Sequence, residues 1–170
     1  MKTQNTYPAR LTEWVGLGML AATLCLPAVA VHAETTTQKG RDTIQCTDEK
    51  YIEIGDVPEH YVGAFKCEGV SSTEGGEAGV LELWGTGDFI AGSGPEKGYY
   101  TVTYVDGSTI RGDWQDTLMA AKDGTTSGKG TYNITSGTGR LAGIKGKGIY
   151  TVTSFSGKSW IDWTETYTVP

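Results

Sequence analysis

The sequence predicts an all-β chain folded as a single eight-stranded antiparallel up-and-down barrel, and three observations carry that expectation. Apolar and polar residues alternate with a period of two along segment after segment, as in strands with one face on a core and one in water. Glycine and other turn formers punctuate those segments at short intervals, and no segment shows the spacing of an amphipathic helix. A hairpin also recurs: GYYTVTYVDGS at 98–108 matches GIYTVTSFSGK at 148–158 at six of eleven positions. Such a repeat, with its even turn spacing, suits a meander closing on itself better than a sandwich.

The chain begins with a segment set apart from that pattern. Lys2 and Arg10 precede an apolar run, Val15–Leu26, followed by Pro27 and the small-x-small site Val31-His32-Ala33. Residues 1–33 therefore read as a secretory signal peptide, and the apolar run is short of the roughly 20 residues a spanning helix needs. Residues 34–41 are rich in Thr, Gln and Lys and read as a flexible leader, so the barrel domain is expected over 42–170. Without Lys2, Arg10 and Glu13 the mature chain holds 12 basic and 19 acidic side chains, a net charge near −7. That balance argues against nucleic acid as a partner and, after signal cleavage, against an anionic membrane. A secreted or periplasmic protein is expected.

Two cysteines, Cys46 and Cys67, remain after cleavage, and an isolated pair in an exported chain is expected to form a disulfide. The mature chain has one histidine, His60, so no metal site is expected.

In chain order, residues 42–54 form one strand or two short ones, and Tyr61–Glu68 a second that docks through Cys46 and Cys67. Ser71–Gly79 is a polar, glycine-rich loop, and Phe89-Ile90-Ala91 a short apolar piece before Gly-Ser-Gly-Pro. Val80–Trp84 is a strand with apolar residues on both faces, so its orientation stays open. Gly98–Val105 and Thr109–Met119 flank Asp106-Gly107, a strong hairpin signal. Gly128–Tyr150 supplies two further strands around a tight corner, with Gly130, Gly146 and Gly148 expected where strands bend or cross. Trp160–Val169 ends the chain as the strand that closes the barrel on the first.

The repeat carries the candidate chemistry. Asp113-Trp114-Gln115-Asp116-Thr117 matches Asp162-Trp163-Thr164-Glu165-Thr166. Each strand thus puts one carboxylate, Asp116 or Glu165, on its apolar and aromatic face. Desolvation raises such a group toward neutral pH, where it can act as a general acid or base, and two facing one cavity can share a proton. The alternative is that these acids sit at the barrel mouth or outside. Glu82, beside Val80 and Trp84, is a weaker third candidate, and Arg140 is expected to pin the corner. There is no Gly-x-Ser-x-Gly elbow, Walker loop or Cys/His cluster.

Gly137-Thr138-Gly139-Arg140, followed by Leu141-Ala142-Gly143 and the Gly146-x-Gly148-x-Tyr150 strand, resembles the signature of the allene oxide cyclase and dirigent barrel superfamily. The resemblance covers about 125–153, a fifth of the mature chain. It implies an eight-stranded barrel related in shape to lipocalins, working without a cofactor through a shaped apolar cavity. Members of that superfamily cyclise a fatty-acid epoxide or guide phenoxy-radical coupling. Their catalytic residues have no matching motif here. The expectation is an exported barrel that binds a small, largely apolar molecule on Tyr100, Tyr104, Trp114, Tyr150 and Trp163. A cofactor-free cyclase, isomerase or lyase using Asp116 and Glu165 is the rival, and a solid barrel acting through its surface a third reading. Oligomeric state is not legible.

Overall fold

The computed structural model describes residues 34–170; the signal peptide expected over 1–33 lies outside them. The described chain closes into a barrel of eight antiparallel strands in sequential order. They are β1 Thr35–Glu53, β2 His60–Thr73, β3 Ala78–Ile90, β4 Gly94–Tyr104, β5 Thr109–Ala120, β6 Thr126–Gly137, β7 Lys145–Phe155 and β8 Lys158–Thr168. A single 3₁₀ turn, Gly139–Leu141, interrupts the strands among the described residues.

Closure comes from β1 and β8, which pair from Thr35 with Thr168 to Ile44 with Ser159. Residues 35–41 are accordingly not a flexible leader but the first part of β1, and the barrel begins at Thr35. Backbone hydrogen bonding to β8 orders them, and little apolar side-chain burial is needed, which is why their composition hides the strand. Two other sequence expectations are corrected in the same way. The loop over 71–79 shrinks to the tight turn between Thr73 and Ala78, and Phe89-Ile90 continue β3 without a break. The strand around Val80–Trp84 faces inward through Leu81 and Leu83, leaving Val80 and Trp84 on the outside. Glu82 is on that outer face as well, paired with Lys66 at 3.2 Å.

Cys46 and Cys67 stand opposite each other on β1 and β2 and are joined as a disulfide, with Cys67 1% exposed. Cys46 and Cys67 are expected to resist alkylation until the protein is reduced. Replacing both cysteines by alanine should lower stability by about 3 kcal/mol, the loop-closure value for a 21-residue separation. Alkylation of Cys46 and Cys67 in the unreduced protein would refute the bridge.

One rim of the barrel is sealed. Leu141 and Ile144, in the β6–β7 connection, are 7% and 0% exposed and plug it. Arg140 holds the plug: its Nε donates to Asp106 Oδ2 at 2.9 Å in the β4–β5 turn, and its Nη2 bonds Glu77 in the β2–β3 turn. Its guanidinium also lies 5.0 Å from the Tyr104 ring centroid. Arg140 thus ties three connections together, the pinning role its sequence position suggested.

Inside, aromatic rings and glycines face one another across neighbouring strands. Tyr132 of β6 is paired with Gly148 of β7, and Tyr150 of β7 with Gly130 of β6. A Cβ on Gly148 would stand 2.3 Å from the Tyr132 ring, and one on Gly130 2.3 Å from the Tyr150 ring. Trp163 over Gly40 and Tyr100 over Gly112 repeat the arrangement. These glycines are therefore seats for rings in mid-strand, not corners. Gly146 likewise lies within β7, where a Cβ would crowd Tyr167 of β8. A ring laid on a neighbouring strand stays close to the wall, so the centre of the barrel is left open.

Candidate functional site

The interior holds a cavity of about 330 Å³, so the barrel is not packed solid with side chains. The five aromatic residues singled out from the sequence, Tyr100, Tyr104, Trp114, Tyr150 and Trp163, all line it. Period-two alternation on β4, β5, β7 and β8 turns each of them inward. Aliphatic wall is added by Ile44, Leu81, Leu83, Val102 and Ile110. The lining also includes Ser154, Gly157 and Ser159 around the β7–β8 turn, at the rim opposite the Leu141–Ile144 plug. That rim is the mouth, and the plug closes the opposite end, behind the floor formed by residues such as Asp42, Tyr104 and Glu165.

Asp116 and Glu165 both point inward and are buried, at 9% and 6% exposure. They do not face each other. β7 follows β4 by three strands, and an odd step in an antiparallel meander reverses direction. The two copies of the hairpin therefore run oppositely. Asp116 lies toward the mouth, four residues before the end of β5, while Glu165 lies toward the floor, three residues before the end of β8. Each has a different carboxyl for company.

Near the mouth the pair is Asp116 and Glu96, directly opposite on β5 and β4. Tyr150 Oη donates to Asp116 Oδ2 at 2.7 Å, while Asp116 Oδ1 is buried with no N–H or hydroxyl donor. A proton on Glu96 supplies that donor. Burial, reinforced by the charge of Asp116, pushes the Glu96 carboxyl up to about 9. Burial raises Asp116 too, but the hydrogen bonds from Tyr150 and Glu96 oppose it. The pair thus keeps one proton at neutral pH, held on Glu96. Glu96 lines the cavity; Asp116 does not, and backs Glu96 and Tyr150, which do.

Near the floor the pair is Glu165 and Asp42. Gln38 Nε2 donates to Glu165 Oε1 at 2.7 Å and Tyr132 Oη to Oε2 at 2.8 Å. Trp163 Nε1 donates to Asp42 Oδ1 at 2.8 Å. Burial is the main cause that lifts Asp42 to about 6, with the charge of Glu165 adding to it and hydrogen bonds from Ser71 and Trp163 opposing it. Burial also raises Glu165, against the hydrogen bonds from Tyr132 and Gln38. Tyr100, Tyr104, Tyr132 and Tyr150 are all raised, first by burial and then by these carboxylates, so their phenols stay protonated, and those of Tyr132 and Tyr150 donate to Glu165 and Asp116.

Reading the sequence alone missed Asp42, Glu96, Gln38 and Tyr132. Gln38 belongs to a stretch that carries no apolar alternation, Asp42 is the polar first residue of the strand expected over 42–54, and Glu96 follows Gly-Ser-Gly-Pro, which reads as a turn. Away from the cavity, His60 bridges Asp56 at 2.5 Å and Asp88 at 2.8 Å beside the β1–β2 turn, and those two hydrogen bonds raise it. Among the described residues no group of three or more His, Cys, Asp or Glu side chains is placed to hold a metal ion.

No protein-family model and no curated protein matches the chain. Among solved structures it is similar to the pterocarpan synthase dirigent protein GePTS1, at 14% identity and a TM-score of 0.47, over 97% of this chain and 99% of that one. It is also similar to the pterocarpan synthase dirigent protein PsPTS1, at 13% identity and a TM-score of 0.46, over 80% of this chain and 96% of that one. These are likenesses of shape and say nothing of ligand or chemistry.

Proposed function

We propose that the mature protein is an exported barrel, secreted or periplasmic, that binds one compact and largely apolar molecule in its interior. The carrying observation is the cavity of about 330 Å³, walled by aromatic and aliphatic side chains and reached from one rim. Its volume is at the lower end of the roughly 300–1,000 Å³ typical of small-molecule sites, and its walls pair apolar surface with a few polar groups, as such sites do. The Cys46–Cys67 bridge supports the exported location, because structural disulfides persist mainly in oxidising compartments.

The test uses the two tryptophans that line the cavity, Trp114 and Trp163. A panel of fatty-acid, terpenoid and phenolic probes is expected to contain members that change tryptophan emission and raise Tm. A ligand at about a hundred times its Kd stabilises the native state by about 2.7 kcal/mol. No response from any class would overturn the proposal.

A cofactor-free cyclase, isomerase or lyase is the second reading, and one observation favours it: Glu96, its carboxyl pushed up to about 9, faces the cavity with Asp116 opposite it on the neighbouring strand. Under that reading Asp116→Asn or Glu165→Gln leaves binding nearly intact and lowers turnover by about 10²–10⁴-fold. Under the binding reading the ligand is recovered chemically unchanged.

A further inference from the structure

The charge inside the cavity selects among apolar molecules. Asp42, Glu49, Glu96 and Glu165 line it, and no Lys, Arg or His does. Nearby cations are engaged elsewhere: Arg41 with Asp162 and Arg140 with Asp106 and Glu77. At the floor, the groups bonded to Asp42 and Glu165 include the Trp163 indole N–H and the Gln38 amide NH₂, which can only donate. These donors favour the carboxylate form of both groups and oppose the burial that raises them. A neutral ligand sealed over them would strip their water and return nothing, and an anion would add repulsion. A cationic nitrogen would answer both charges through the lone pairs that the existing hydrogen bonds leave free. The rings of Tyr100, Tyr104, Tyr132 and Trp163, also in the wall, add cation–π attraction.

We propose that the ligand is an organic amine, its cationic nitrogen at the floor between Asp42 and Glu165 and its apolar body against Trp114, Phe65 and Leu118 toward the mouth. This rests on the binding reading above and narrows it to one ligand class.

Three probes of nearly one shape test it by calorimetry and tryptophan emission: naphthylethylamine, naphthylethanol and naphthylacetate. The amine is expected to bind at least about tenfold more tightly than the alcohol, as one partly buried charge contact gives, and the acetate more weakly than either. In the Asp42→Asn and Glu165→Gln variants the preference for amine over alcohol should shrink toward unity. Should those variants fail to fold, the wild-type pH profile carries the test. Asp42 is faced by Trp163 and Glu165 from β8, Ser71 from β2, Tyr100 and Tyr104 from β4 and Tyr132 from β6. Of these, Asp42 is raised by burial to about 6, and Glu165 is raised by burial as well. Amine affinity should therefore fall about tenfold between about pH 7.5 and about pH 5, with alcohol affinity unchanged. Alcohol binding equal to or tighter than amine binding would overturn the amine and leave the binding cavity standing. If no probe binds, both readings fall.

Discussion

Replacing Gly148 by valine is expected to lower folding stability by about 3 kcal/mol, the upper part of the range for overpacking a filled site. The Tyr132 ring occupies the space above Gly148, with its Cε1 2.3 Å from where a Cβ would stand. The ring cannot simply lift away. Its hydroxyl is bonded to Glu165 at 2.8 Å, and its neighbours Tyr100 and Tyr150 stand at centroid distances of 5.9 and 6.2 Å. Denaturant unfolding measures the effect, and a second substitution identifies its cause. In a Tyr132→Ala background the ring is gone, so Gly148→Val should cost at least about 1 kcal/mol less than in the parent. Additive costs would mean that the ring is not what the valine meets.

The same pair shows what could be read from the chain and what could not. Gly-x-Gly-x-Tyr on β6 and again on β7 was visible, and so was the two-residue alternation that turns Tyr132, Trp114 and Trp163 inward. Which residue a ring lies on depends on cross-strand register, and a glycine says nothing about its opposite number. Given antiparallel β6 and β7 in the observed register, two Gly-x-Tyr segments must seat each tyrosine on the other's glycine. The spacing alone suggested corners instead. The carboxylates follow the same logic. Period two placed Asp116 and Glu165 on inward faces. Their companions Glu96 and Asp42 come from β4 and β1: Glu96 follows a segment whose composition signals a turn, and Asp42 is the polar first residue of an expected strand. The hairpin repeat was legible too, yet its reversal depends on counting the strands between the copies. Strand identity is thus written locally; pairing is written only in the whole.

The mouth-side pair gives the other large expected effect: stability should fall by about 2 kcal/mol between pH 7 and pH 9, where an ordinary acidic protein changes little. The Glu96 carboxyl is raised by burial and by the charge of Asp116 to about 9 in the folded protein, from 4.5 as its ordinary value. A group raised on folding contributes stability that is fully present below its unfolded pKa and is lost as pH rises through the folded one. Between pH 7 and pH 9 the native state holds this proton and the unfolded state does not, so unfolding grows easier by about 1.4 kcal/mol per pH unit until Glu96 ionises. Asp42, raised to about 6, acts in the same direction but is spent below neutrality. Glu96→Gln isolates the effect. Its amide donates to Asp116 as the protonated carboxyl does and carries no titration, so the variant should match the parent near pH 5 and exceed it at pH 9. Calorimetric Tm values across that interval decide the matter: equal alkaline slopes in parent and variant would mean that the proton is not on Glu96.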